Sequence, residues 1–145
     1  MATAIVLYDN YLLHQGNKLI DLENDVLKVM LTTSTYVPNA GTDDFKDDVT
    51  NEVTGDNYVA GGATIANNVY TLTGASDWAT LDGDDVTWAN STITARIAVI
   101  YDSTPATDAT RPLIGYMDFA SDQSTSGTDF VIQWNASGIL RHTIV

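Results

Sequence analysis

The side chains in this sequence with chemistry to offer are His14 and His142, two aspartate clusters, and Trp78, Trp88 and Trp134. His14 falls near the end of a predicted helix, where the dipole favours a cation. His142 alternates within a C-terminal strand pattern. Neither has a Cys, His or carboxylate partner at a metal-ligand spacing, so both read as structural or surface residues. The aspartates are Asp43, Asp44, Asp47 and Asp48 in "DDFKDD" and Asp82, Asp84 and Asp85 in "LDGDD". Clustered carboxylates suit calcium, but an EF-hand loop needs oxygen ligands at positions 1, 3 and 5, Gly at 6 and Glu at 12, and neither cluster provides them. Asp-Gly is also the usual hairpin turn. A glycosidase pair would need two carboxylates at a set separation, which sequence cannot supply. With no cysteine, no Gly-x-Ser-x-Gly elbow, no phosphate-binding loop and no dinucleotide fingerprint, the expectation is a non-enzyme without metal or cofactor.

The three tryptophans lie on predicted strands. There they read first as core residues, and second as stacking platforms for sugars or as interface anchors. The net charge of −13, from 19 acidic against 6 basic residues, opposes binding to nucleic acid and to anionic membranes. No apolar run reaches membrane-spanning length, and the N-terminus lacks the pattern of a secretory signal. The "NST" at Asn90 and "NAS" at Asn135 therefore carry little weight as glycosylation sites.

These residues must be positioned by β-structure. Ile5 to Gln15 pairs Leu7 with Tyr11 and Tyr8 with Leu12 at helical spacing, with Gly16 as a left-handed stop. "KLIDLENDVLKVMLTTS" reads as strand, turn at Glu23–Asp25, and strand. In the second of these, Leu27, Val29 and Leu31 oppose Val26, Lys28, Met30 and Thr32. Thr42 is placed to cap a helical turn through Asp47. The Gly61–Gly62 pair predicts a bulge or a close backbone approach. Further strands are predicted at 65–73, 78–82, 85–89, 93–102, 112–119, 129–134 and 138–144, separated by turn clusters. The expected fold is mainly β: a single domain over 1–145, a β-sandwich or barrel-like sheet with a short N-terminal helix.

One strand stands out, in "WANSTITARIAVIYDS". Ile93, Ala95, Ile97, Val99 and Tyr101 read as one continuous core face. The opposite face starts wet at Thr92, Thr94 and Arg96 and ends apolar at Ala98 and Ile100. The apolar end needs a cover, either the N-terminal helix or a neighbouring subunit.

Several blocks together resemble a family of small structural proteins of tailed bacteriophages: "IDLENDVLKVMLTTSTYVPN", "EVTGDNYVAGGATI", "VTWANSTITAR", "PLIGYMDFASDQS" and "FVIQWNASGI". The resemblance spans almost the whole chain in order and is carried by strand and turn signatures. It implies a virion component, foremost a capsid cement or decoration protein. Such a protein sits on the outer capsid surface, is made in the host cytoplasm, binds the major capsid protein and associates as a homotrimer. The alternative it implies is a tail or head-fibre module recognising a host surface glycan. The resemblance departs at the acidic "TDDFKDD", where the family pattern has a His. Contacts are expected from Met1 to Tyr8 and from Tyr36 to Tyr58, with Tyr8, Tyr36, Pro38, Asn39, Phe45 and Tyr58 as contact residues and Ile100 at the covered end of the half-wet strand.

Overall fold

The computed structural model describes residues 4–72 and 77–143. In chain order its elements are β1 (Val6–Leu7), α1 (Asn10–Gly16), β2 (Leu27–Thr32), β3 (Ala63–Thr64), β4 (Val69–Leu72), β5 (Trp78–Asp82), β6 (Val86–Ser91), β7 (Thr94–Asp102), β8 (Leu113–Ser124), β9 (Thr128–Ile132) and β10 (Leu140–Thr143). Single 3-10 turns occur at Lys46–Asp48 and Asp108–Thr110. The strands form three antiparallel sheets, ordered β1-β8-β7-β2-β3, β10-β5-β4 and β6-β9. The result is a mainly β, sandwich-like fold with one short helix near the N-terminus.

Period-two alternation along β2 explains the layering. Leu27, Val29 and Leu31 enter the main core with Ala98 and Ile100 of β7, Leu81 of β5, Trp88 of β6, Phe130 and Ile132 of β9 and Leu140 of β10. Met30 points the other way, into a second apolar cluster with Ile97, Val99 and Tyr101 of β7 and Leu113 of β8. The large sheet is therefore buried on both faces along its central strands, which is why they read as nearly continuous apolar runs.

The face assignment along 93–102 is corrected by this packing. Ile93 and Ala95 belong to the main core, but Ile97, Val99 and Tyr101 belong to the second cluster. The alternation breaks where the register between β7 and β8 shifts, between Ala95 opposite Gln123 and Ile97 opposite Asp118. Phe119 to Asp122 oppose Arg96 there, and Ala120 takes a left-handed conformation at φ 65°. The Asp118 carboxylate holds the bulge together. It accepts the Ala120 amide at 2.7 Å and the Arg96 guanidinium at 2.5 Å.

Four other local expectations are corrected. The segment Ile5 to Gln15 is not one helix: Val6 and Leu7 pair with Tyr116 and Gly115 on the edge of β8, and α1 begins only at Asn10. An open sheet edge offers backbone partners that outweigh one extra helical turn. The left-handed residue beyond the helix is Lys18, at φ 61°, not Gly16. No strand forms over 18–22, because the Asp21 carboxylate accepts the amides of Glu23 and Asn24 and folds that stretch into a turn. The helical turn expected from Thr42 is a 3-10 turn at Lys46–Asp48 with Phe45 at its N-cap.

"DGDD" is not a hairpin either. It carries the chain from β5, in one sheet, to β6, in another. A Cβ on Gly83 would stand 2.6 Å from the Ile65 side chain, so close packing sets that glycine. Gly61 and Gly62 behave as expected of a close approach. Both have positive φ, and a Cβ on Gly62 would lie 1.8 Å from the Val29 carbonyl oxygen. Residue 73 of the expected 65–73 strand and residue 144 of the 138–144 strand lie outside the described residues.

Candidate interaction surface

The segment from Thr33 to Val49 leaves β2, crosses the outer side of the large sheet and returns, forming a strap. It covers Ile97, Val99 and Tyr101 of β7, whereas Ala98 and Ile100, for which sequence expected the helix or a subunit as cover, lie in the main core against the other two sheets. Tyr36 and Val49 pack onto the second cluster, joined by Tyr8 from the N-terminal segment and Tyr116 from β8. Tyr8 and Tyr36 are nearly inaccessible, and their hydroxyls lie 3.0 Å apart. Tyr36 gives its one hydroxyl proton to Asp43 at 2.8 Å, so Tyr8 is the donor to Tyr36. Asp43 also accepts the Asn39 amide at 3.0 Å. Burial, foremost, pushes both tyrosine pKa values far above the ordinary range, so the relay stays protonated.

The strap is pinned along its length. The Asp9 amide donates to the Ala40 carbonyl at 2.9 Å, Leu113 to Asp44 at 3.0 Å, and Lys46 to Arg111 at 2.9 Å. His14 of α1 pairs through Nε2 with the Asp44 carboxylate, and its ring lies 5.1 Å from that of Phe45. Lys46 bridges to Asp108 at 2.8 Å and lies over the Tyr101 ring. Asp108, bonded to Lys46 and Arg111, is held below the usual carboxylate range. The strap's large apolar group left in solvent is at its apex: Val37, 79% exposed, beside half-buried Pro38 and exposed Asn39.

The structure thus gathers Tyr8, Tyr36, Pro38, Asn39 and Phe45 of the expected contact residues into one region, but only the Pro38–Asn39 apex and part of Phe45 face outward. Tyr8 and Tyr36 support it from beneath. Two others lie elsewhere. Ile100 is fully buried in the main core and presents nothing to a partner. Tyr58 is an internal strut: its hydroxyl donates to Glu52 at 2.8 Å and accepts the Leu31 amide at 3.0 Å, and its ring stacks on Trp88. Met1 to Thr3, part of the expected N-terminal contact, lie outside the described residues. Val37 was missed by sequence reading, although a β-branched apolar residue before Pro in a loop was the available signal.

The aspartate clusters are occupied by the protein itself. In "DDFKDD", Asp43 serves Tyr36, Asp44 serves His14, and Asp48 accepts the amides of Asp44 and Phe45. In "LDGDD", Asp84 accepts the Asn67 amide group and Asp85 the Trp134 amide. Among the described residues no three His, Cys, Asp or Glu side chains converge on a metal position. His142 is half-buried, bonded through Nδ1 to the Tyr70 hydroxyl at 2.6 Å and stacked on Tyr11; burial lowers its pKa. Trp88 and Trp134 are core residues, whereas Trp78 lies half-buried on the outer face of the three-stranded sheet.

A different kind of site lies at the far end of β7. Asp102 is wholly buried; one carboxylate oxygen accepts the Thr104 amide at 2.8 Å and the other has no partner. Burial, helped by the neighbouring Asp25 carboxylate, pushes its pKa up to about 6. Around it, the Val26 amide donates to the Thr104 hydroxyl and the Ser103 hydroxyl to the Val26 carbonyl, both at 2.8 Å.

Compared with known proteins, the chain matches no family model, no curated protein and no solved structure. No described helix is long and apolar enough to cross a membrane.

Proposed function

We propose that this chain is a capsid cement or decoration protein of a tailed bacteriophage, acting by binding rather than catalysis. It docks on the outer surface of the assembled shell, against the major capsid protein, and associates with copies of itself, as a trimer on the family pattern. The observation that carries this reading is the strap. Its apex, Val37 to Asn39, projects from a backbone already fixed by Tyr8, Tyr36 and Asp43. A loop ordered before binding loses little conformational entropy on docking, which favours repeated attachment at many identical sites. Ligation of assembled shell alone then stabilises it by mass action. The acidic remainder of the surface, at net charge −13, keeps the outer coat soluble.

The test is to separate purified virions into heads and tails and to quantify the chain in each by intact-mass spectrometry. Many copies per head, with stripped heads bursting at a lower temperature than decorated ones, are the expected result. Copies confined to the tail fraction would overturn the reading and put the fibre-module alternative, with a host glycan as ligand, in its place.

A further inference from the structure

The outer face of the three-stranded sheet takes no part in the strap. Cross-strand register sets Thr71, Thr80 and Arg141 in one row, with Asp82 opposite Val69 and Trp78 opposite Thr143. The alternate residues Leu81 and Leu140 point into the main core, so this row and its neighbours face solvent. Together with Ser137 they line a shallow groove of about 320 Å³. Within it, the Arg141 guanidinium carbon stands 4.2 Å from the centroid of the Trp78 ring.

Arg141 differs from its fellow cations. Lys46, Arg96 and Arg111 each hold an aspartate, whereas among the described residues no ion pair engages Arg141, Lys18 or Lys28, and of these three only Arg141 is a guanidinium stacked on an aromatic ring. In a chain with 19 acidic residues, a guanidinium that pairs with no described carboxylate is an anion receptor open to a ligand. Stacking on the indole fixes the guanidinium plane while leaving its in-plane N–H groups available for a bidentate carboxylate. The surrounding groups mix hydroxyls, from Thr71 and Ser137, with the apolar side chains of Val69, Ala136 and Trp78, a lining that suits the alternating polar and apolar surface of a sugar ring. At the other end of β5, the Asp82 carboxylate accepts the Gly83 amide at 2.9 Å through one oxygen, leaves acceptor capacity for ligand hydroxyls, and would repel a second carboxylate, which orients an asymmetric ligand.

We propose that this face binds a carboxylate-bearing sugar residue of the uronic acid type. Arg141 takes the carboxylate, the exposed edge of Trp78 contacts the ring, and Thr71, Ser137 and Asp82 hydrogen-bond its hydroxyls. The site goes beyond the shell-binding reading and does not depend on it.

The experiment is a nitrogen-15 NMR titration of the full chain with trigalacturonic acid and, separately, with its methyl ester, which keeps the rings and removes the charge. Expected are shifts confined to β4, β5, β10 and the Asn135–Gly138 turn, with the ester binding at least about tenfold more weakly because the charge-assisted contact is lost. Arg141→Gln should abolish the difference between acid and ester, and Asp82→Asn should tighten binding of the acid. No shifts at millimolar trimer, equal binding of acid and ester, or shifts mapping elsewhere would each overturn the proposal. Arg141 and Asp82 are both exposed, so an unchanged amide spectrum in either variant certifies the fold.

Discussion

The Tyr8 hydroxyl donates to the Tyr36 hydroxyl across 3.0 Å, tying the N-terminal segment to a strap 28 residues further along the chain. Through Asp43 the same relay reaches the amide of Asn39 at the strap's apex. Two side chains beneath the surface thereby fix the conformation of the residues above it.

Replacing Tyr36 with Phe tests that relay. The substitution keeps the ring but leaves the Tyr8 hydroxyl and the Asp43 carboxylate without their partner. The expected cost is about 1–3 kcal/mol in urea unfolding, with faster hydrogen exchange at Asn39 and Asp43. An unchanged midpoint and unchanged exchange would dissociate the relay from the strap.

At the apex the expectation is reversed. Val37→Asp removes an exposed apolar group that supports no packing, so stability should stay within about 0.5 kcal/mol of the parent. Binding to undecorated heads in a co-sedimentation assay should be lost. Retained binding would move the shell contact elsewhere on the chain.

Asp102 gives a pH dependence with a definite sign. Its pKa is about 6 in the fold, raised from an ordinary 3.8. The folded state therefore holds the proton more tightly, and its contribution is complete below about 4 and is lost as pH rises through 6. Asp108 and Asp118, whose pKa values are lowered by cationic partners, contribute in the opposite sense and lose their share on acidification below about 4. Both are substantially exposed, so solvent screening keeps those shares small. Thermal stability should thus peak near about pH 4, fall as pH rises to about 6 and level off above about 7. Asp102→Asn should remove most of that decline. A profile that rises from pH 5 to 8 in the parent would refute the assignment.

Gly62→Ala should be severe. A methyl group there meets the Val29 carbonyl at 1.8 Å, and the residue's φ of 76° is itself unfavourable for alanine. Loss of more than about 2 kcal/mol is expected, together with loss of the β2–β3 pairing in hydrogen exchange. Lys18→Gly, at a left-handed position in an exposed turn, should instead be neutral or stabilising by up to about 1 kcal/mol.

Much of the sheet was legible because its signals are local. The run "WATLD" bounded by turn clusters gave β5 at 78–82, and the apolar run ending at Asp102 gave β7 to within a residue. What stayed hidden depends on distant partners. Nothing near Val6 announces that β8 will present an open edge to it. Ala120 takes a left-handed conformation that its type does not advertise, and Asn90 one that its type permits without requiring, so the shifts in β8 and β6 were hidden, and with them the change of face along β7. The candidate surface was half legible. Tyr36 to Phe45 stood out as irregular and aromatic, but which of those residues face outward was decided by contacts with Tyr8 and His14, well upstream in sequence. Trp78 was marked as one tryptophan among three, and only the register of β5 with β10 set Arg141 over it.

Burial of β7 on both faces governs how the molecule comes apart. Because that single strand donates Ala98 and Ile100 to one cluster and Ile97, Val99 and Tyr101 to the other, neither cluster can melt while β7 stays in place for its neighbour. Opening the strap's side exposes the backbone that also organises the opposite layer. Heat should meet one calorimetric transition rather than two, with the strap, the sheets and the apex lost together.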